Sequence, residues 1–148
     1  MKILFIKNSL ALVIFAFFMI TGCSCFAENN IPYIVDATVE MKESSSEYEI
    51  CGLDLYFLNK SESDVESFTI SFFLFDKDGN PISTGKSNIV LTIEKQIEKE
   101  KPFTTCISLD KYFNVVPDEI YGIDYLYVSR IEYSDGSVWS DPFGMKRF

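Results

Sequence analysis

The chain has 148 residues, 22 acidic against 13 basic side chains, a net charge of −9 and no histidine. The missing histidine excludes the usual Ser-His-Asp and Cys-His nucleophilic centres, His-ligated zinc and blue-copper sites, and the commonest proton shuttle near neutral pH. The acidity argues against nucleic acid as a partner, because phosphate is repelled; no nucleotide motif, metal-ligand spacing or other cofactor pattern stands in the sequence either.

Lys2 and Lys7 precede an apolar run from Leu10 to Ile20. That run has the length of a signal-peptide core and is short for a membrane-spanning helix, which needs about 20 apolar residues. Two cleavage patterns follow. Ile20-Thr21-Gly22-Cys23 resembles the lipobox of bacterial lipoprotein precursors. It implies a signal peptide over residues 1–22, Cys23 as the lipidated first residue of the mature chain, and a short tether over residues 23–33. Cys25-Phe26-Ala27 offers ordinary signal peptidase a cut after Ala27, which would release a soluble secreted or periplasmic domain. The lipobox is the preferred reading. Each buried CH₂ of an acyl chain contributes about 0.8 kcal/mol, so the N-terminal lipid alone would hold the protein to a membrane. Loss of residues 1–27 removes Lys2 and Lys7 and no acid, leaving 11 bases against 22 acids, a net charge of −11, and 121 residues. That length suits a single domain with its own core, placed at residues 34–148.

In chain order, Ile34 to Met41 alternates apolar and polar residues as a half-buried strand does. After a serine-rich break, Tyr48 to Asn59 reads as a long strand with Cys51, Leu53, Leu55 and Phe57 on one face and a bulge at Gly52. Ser67 to Phe75 follows, with Phe68, Ile70, Phe72 and Leu74 on one face. Asp78-Gly79 supplies hairpin chemistry. Pro81 to Ser83 and Ser87 to Ile93 make one or two further strands. The mixed-charge stretch Glu94 to Lys101 reads as a solvated loop or a helical turn. Phe103 to Leu109 is a strand, Lys111 to Phe113 a short helical turn, and Tyr121 to Tyr133 the last long strand. Asp135-Gly136 then turns the chain into Val138-Trp139. Seven or eight short strands with no amphipathic helix predict an all-β, antiparallel sandwich.

Phe72-Phe73-Leu74-Phe75-Asp76 matches F-x-L-Y-D with Phe in place of Tyr, Asn59-Lys60-Ser61 precedes it as an N-x-S, and Lys101-Pro102-Phe103 starts a strand after a charged turn. Over Tyr48 to Leu109 the chain resembles the FxLYD-type domain of bacterial lipoproteins and exported proteins. The resemblance implies an immunoglobulin-like β-sandwich with no assigned catalytic residue.

Candidate chemistry is sparse. Asp76, Asp78 and Asn80 alternate oxygens as a calcium loop does, but Gly79 comes too early and Ser87 stands at the twelfth position, so a hairpin turn is the simpler reading. Cys51 and Cys106 either pair as a disulfide in an oxidising compartment or stay buried as free thiols. Tyr112 and Phe113 in a polar loop are either partner anchors or an end plug for the sandwich. Tyr125 and Tyr127 belong to a tyrosine stripe with Tyr121 and Tyr133, which serves either as an aromatic platform or as core. The expectation is a non-enzymatic binding module of the bacterial envelope, held to the membrane by its lipid and engaging another envelope protein. The alternatives are a structural spacer or subunit of an envelope complex, which an uncharged apolar edge strand would favour, and a carboxylate-dependent hydrolase, which a buried acid pair would favour.

Overall fold

A computed structural model describes residues 31–41, 46–82, 88–113 and 121–146. Cys23, both cleavage patterns and the tether as far as Asn30 lie outside the described residues. Among the described residues seven strands form: β1 (Tyr33–Glu40), β2 (Gly52–Asn59), β3 (Val65–Phe75), β4 (Ile89–Ile97), β5 (Pro102–Ser108), β6 (Gly122–Tyr133) and β7 (Val138–Ser140), with one 3₁₀ turn at Asp110–Tyr112. Ile31 and Tyr33 are buried in the core, so the packed chain includes residues one and three positions before residue 34.

All pairings between strands are antiparallel, in a three-stranded sheet β1-β2-β5 and a four-stranded sheet β4-β3-β6-β7. The period of two in the sequence decides which face is covered. On β2, Leu53, Leu55 and Phe57 are buried; on β3, so are Phe68, Ile70, Phe72 and Leu74. The sheets meet face to face. Phe57 stacks on Phe68 with ring centroids 4.1 Å apart, Phe103 meets Phe68 edge-on at 6.4 Å, and Tyr33 meets Trp139 edge-on at 5.4 Å. Each such side chain contributes about 1.5–3 kcal/mol through burial.

Two polar side chains fasten the ends of β2. At its C-terminal end Asn59 is fully buried. Its amide nitrogen donates to the carbonyls of Ser63 and Ile97, and its oxygen accepts from the amide and hydroxyl of Ser61. At the other end the Asp110 carboxylate accepts backbone N–H groups from Glu49, Ile50 and Cys51 at 2.8, 2.8 and 2.9 Å. Those bonds, led by the one from Glu49, hold Asp110 down at a pKa of about 2.

Several expectations are corrected. Residues 48–51 are not strand: the amides of Glu49, Ile50 and Cys51 are claimed by Asp110 instead of a neighbouring strand. Gly52 is not a bulge but a regularly paired residue, opposite Glu40 and Ser108. The ring of Tyr48 and the Cys106 sulfur occupy the space a side chain would need there. The charged stretch after Ile93 is neither loop nor helical turn at its start, because β4 runs on to Ile97. An edge strand tolerates Glu94, Lys95 and Gln96, whose side chains all reach water. The tyrosine stripe of β6 is broken, because register shifts opposite Thr69/Ile70 and Ser71/Phe73 move its residues off strict alternation.

The disulfide is not formed. Cys51 and Cys106 are free. Cys51 lies in the inward row with Leu53, whereas Cys106 is paired with Asp54 in an outward row, so the two point to opposite sides of one sheet. Burial, then the Asp110 charge, pushes Cys51 up to about 11. Burial, then the carboxylates of Asp54 and Glu47, pushes Cys106 up to about 12.

Candidate functional site

Among the described residues three of the seven exposed large apolar side chains, Tyr125, Phe143 and Met145, belong to β6 and the segment after β7. β7 pairs with Arg130, Ile131 and Glu132 only. Beyond it the chain forms a hook over residues 141–146. Asp141 is the one carboxylate buried among the described residues. Its amide donates to the Ser129 carbonyl, and its side chain accepts the amides of Met145 at 3.1 Å and Lys146 at 2.7 Å. Gly144 has φ +59, and a Cβ there would lie 2.9 Å from the Tyr127 ring, so both conformation and space demand glycine. The Tyr127 hydroxyl donates to the Pro142 carbonyl. The Lys146 ammonium sits over the Trp139 ring, 5.9 Å from its centre.

A buried carboxyl group and a tight glycine contact thus fix a segment whose side chains face water: Phe143 is 77 % exposed and Met145 82 %. Tyr125, two residues from Tyr127, is 49 % exposed. It sits in the left-handed region at φ 54, which costs a non-glycine residue about 1–2 kcal/mol. The Asp124 carboxylate accepts the Tyr125 amide at 2.7 Å and offsets part of that strain, and Phe73 meets the ring edge-on at 5.7 Å. Beside this surface a cleft of about 330 Å³ opens between β1 and β6, lined by Tyr33, Val35, Ile123, Leu126, Tyr127 and Lys146 among others.

Tyr112 and Phe113 are half-buried and packed against the core, Phe113 stacking on Tyr121 at 5.6 Å. Of the four aromatics singled out in the sequence, Tyr125 alone is exposed, and Phe143 and Met145 were not among them. A non-periodic tail carries no pattern signal; the run Asp141-Pro142-Phe143-Gly144, acid and breakers around an aromatic, was the one local clue.

The outer face of the three-stranded sheet holds an open groove of about 540 Å³ flanked by Asp36, Glu47, Asp54, Tyr56 and Cys106. Among the described residues no His/Cys/Asp/Glu group has a metal-binding arrangement, no two carboxylates are buried together, and every buried side-chain nitrogen or oxygen has a hydrogen-bond partner. Asp76 accepts the amides of Asp78 and Asn80 and the Asn80 side chain, with the Asn80 amide foremost in lowering its pKa. Those carboxylate oxygens serve the hairpin turn, where Gly79 has φ +80.

No protein-family model and no curated protein matches the chain. Among solved structures, a hypothetical protein from Peptoclostridium difficile 630, determined by X-ray diffraction at 1.85 Å, is similar in fold: TM-score 0.56, 13 % identity, covering 76 % of this chain and 87 % of that one. The chain shares that β-sandwich architecture, and the likeness extends to the fold alone.

Proposed function

We propose that the protein is an exported interaction module, lipid-anchored through Cys23, that engages another envelope protein through the Tyr125–Phe143–Met145 surface. The observation that carries this reading is the hook: a buried carboxylate and an obligatory glycine hold two large apolar side chains in solvent, an arrangement with no benefit to the isolated fold. The immunoglobulin-like assignment is supported by strand order. β1, β2 and β5 correspond to A, B and E of that fold, and β3, β6 and β7 to C, F and G, with β4 added beside C. The FxLYD-type resemblance is supported by Phe72 and Leu74 lying in the core and Asp76 closing the hairpin after them.

A photoreactive residue placed at Phe143 in native cells tests the surface, with Asp78 as a remote control. A discrete adduct from position 143 alone is expected; equal labelling from both positions, or none, overturns it. Intact mass of the processed protein tests the anchor separately. A chain beginning at Cys23 with acyl groups is expected, and one beginning at Glu28 refutes lipidation.

A further inference from the structure

The outer strand of the four-stranded sheet holds a second, unrelated surface. β4 is paired with β3 on one side, and among the described residues no strand pairs with its other side. Exposed edges are normally blunted by charge, proline or a bulge. In β4 the charges are confined to Glu94 and Lys95, and the register shift in the β3–β4 pairing lies opposite that same half. Ile89 to Ile93 is uncharged, free of proline and regularly paired, from Phe68↔Ile93 to Phe72↔Ile89. Its outward row is Val90, 52 % exposed, and Thr92, which is also exposed.

The stretch Ile89-Val90-Leu91-Thr92-Ile93 is self-complementary. We infer that β4 pairs antiparallel with β4 of a second copy of this chain, about a two-fold axis at Leu91, joining the two four-stranded sheets into one. With that axis Ile89 lies opposite the partner's Ile93, Val90 opposite the partner's Thr92, and Leu91 opposite the partner's Leu91. Inward residues meet inward residues and outward meet outward, as a two-fold normal to the sheet requires. β-Branched residues face one another at four of the five positions, the favoured kind of cross-strand neighbour. Glu94 falls opposite the partner's Asn88, so no like charges are opposed. Moving the axis to Ile93 would set the water-exposed Lys95 opposite the partner's buried Leu91, and an axis at Lys95 would set two lysines against each other. The Leu91 axis pairs the five residues with one another and leaves the charges beyond the seam.

Each processed copy carries a net charge of −11, so long-range repulsion opposes association and salt screens it. The edge lies on a different strand from the hook and does not depend on the anchor.

Analytical ultracentrifugation of the purified, processed protein tests the pairing, from about 0.05 to about 0.5 M salt. Wild type should sediment as a dimer whose affinity rises with salt. Val90→Lys should weaken the dimer about tenfold, since each substitution acts twice across the two-fold. Val90→Lys with Thr92→Glu should restore it, because each new lysine then faces the partner's new glutamate. Both positions are solvent-exposed, and unchanged circular dichroism confirms that the variants fold. A wild-type monomer at every salt concentration overturns the proposal, and so does a dimer indifferent to Val90→Lys or one that the double variant fails to recover.

Discussion

The two ends of β2 are fastened by opposite chemistries. At one end Asn59, neutral and fully buried, both gives and accepts hydrogen bonds. At the other the ionised carboxylate of Asp110 only accepts, gathering three consecutive amides nearer to solvent. An amide has donors and acceptors in one group, so it serves a site where chain carbonyls and amides converge together. A carboxylate has acceptors alone, so it serves a run of amides with no strand partner. The first device is indifferent to pH, whereas the second works only while ionised.

Exchanging these chemistries should have the largest effect. Asn59→Asp places a buried carboxylate against the carbonyls of Ser63 and Ile97 and removes both donors. A loss of about 3 kcal/mol or more in denaturant unfolding at pH 7 is expected. Because protonation relieves the repulsion, this variant should recover stability relative to wild type as pH falls. A loss under about 1 kcal/mol would mean that the loop after β2 is held by something other than the Asn59 side chain.

Gly52→Ala probes packing at the Asp110 end. The added methyl meets the Tyr48 ring and comes within 2.9 Å of the Cys106 sulfur. Tyr48 is itself buried, so there is little room to yield, and a loss of about 1–3 kcal/mol in the same assay is expected. No loss would show that the ring swings away freely.

The alternation in β1, β2 and β3 was legible because each turns its apolar row to the core and leaves the residues between mostly less buried, Ser71 of β3 excepted. The Asp78-Gly79 and Asp135-Gly136 turns were legible because Gly79 and Gly136 take the positive φ that those pairs supply. The errors cluster where tertiary contacts overrule local pattern. Tyr48 to Cys51 reads as strand, but a carboxylate some 60 positions along the chain captures the amides of Glu49, Ile50 and Cys51. Glu94 to Gln96 reads as loop because edge residues need not alternate. The tyrosines of β6 read as one stripe because a register shift leaves no mark in composition. Among candidate site residues Tyr125 was legible as an aromatic on a strand, whereas its left-handed backbone was not. Phe143 and Met145 owe their exposure to Asp141 and Gly144, a local arrangement without a period.

The pH dependence of Asp110 separates the two ends of β2 more finely. Its folded pKa of about 2 lies below the unfolded value of about 3.9. The stabilisation is therefore complete above about pH 5 and lost as pH falls through about 4 towards 2. Asp76 and Asp135 are also lowered, the latter first by the Ser137 hydroxyl, so wild type has several contributors to the same slope. Asp110→Asn should be less stable than wild type at pH 7, by less than the Gly52→Ala loss. The gap should close between pH 5 and pH 2, as measured by unfolding midpoints across that window. A constant gap would assign the role of Asp110 to shape rather than charge.

The smallest effect is expected from reductant. A Cys51–Cys106 bridge would contribute about 4 kcal/mol on the chain-entropy model, so reducing a bridged protein would visibly lower its unfolding midpoint. With the two sulfurs on opposite sides of one sheet, reductant should change neither the midpoint nor the mass of the processed chain between these positions. The thiols should also be sluggish towards alkylation. A pKa of about 12 at Cys106 leaves about a thousandfold less thiolate near neutral pH than an ordinary cysteine has, and Asp54 and Glu47 repel an anionic reagent besides. Alkylation in the folded state should therefore run far behind that of the urea-unfolded chain. Asp54→Asn should speed it modestly by removing one of the two charges. A fall in the midpoint on reduction would require β5 to turn Cys106 inward, which would carry Thr104 and Ser108 into the core and expel Phe103 and Ile107.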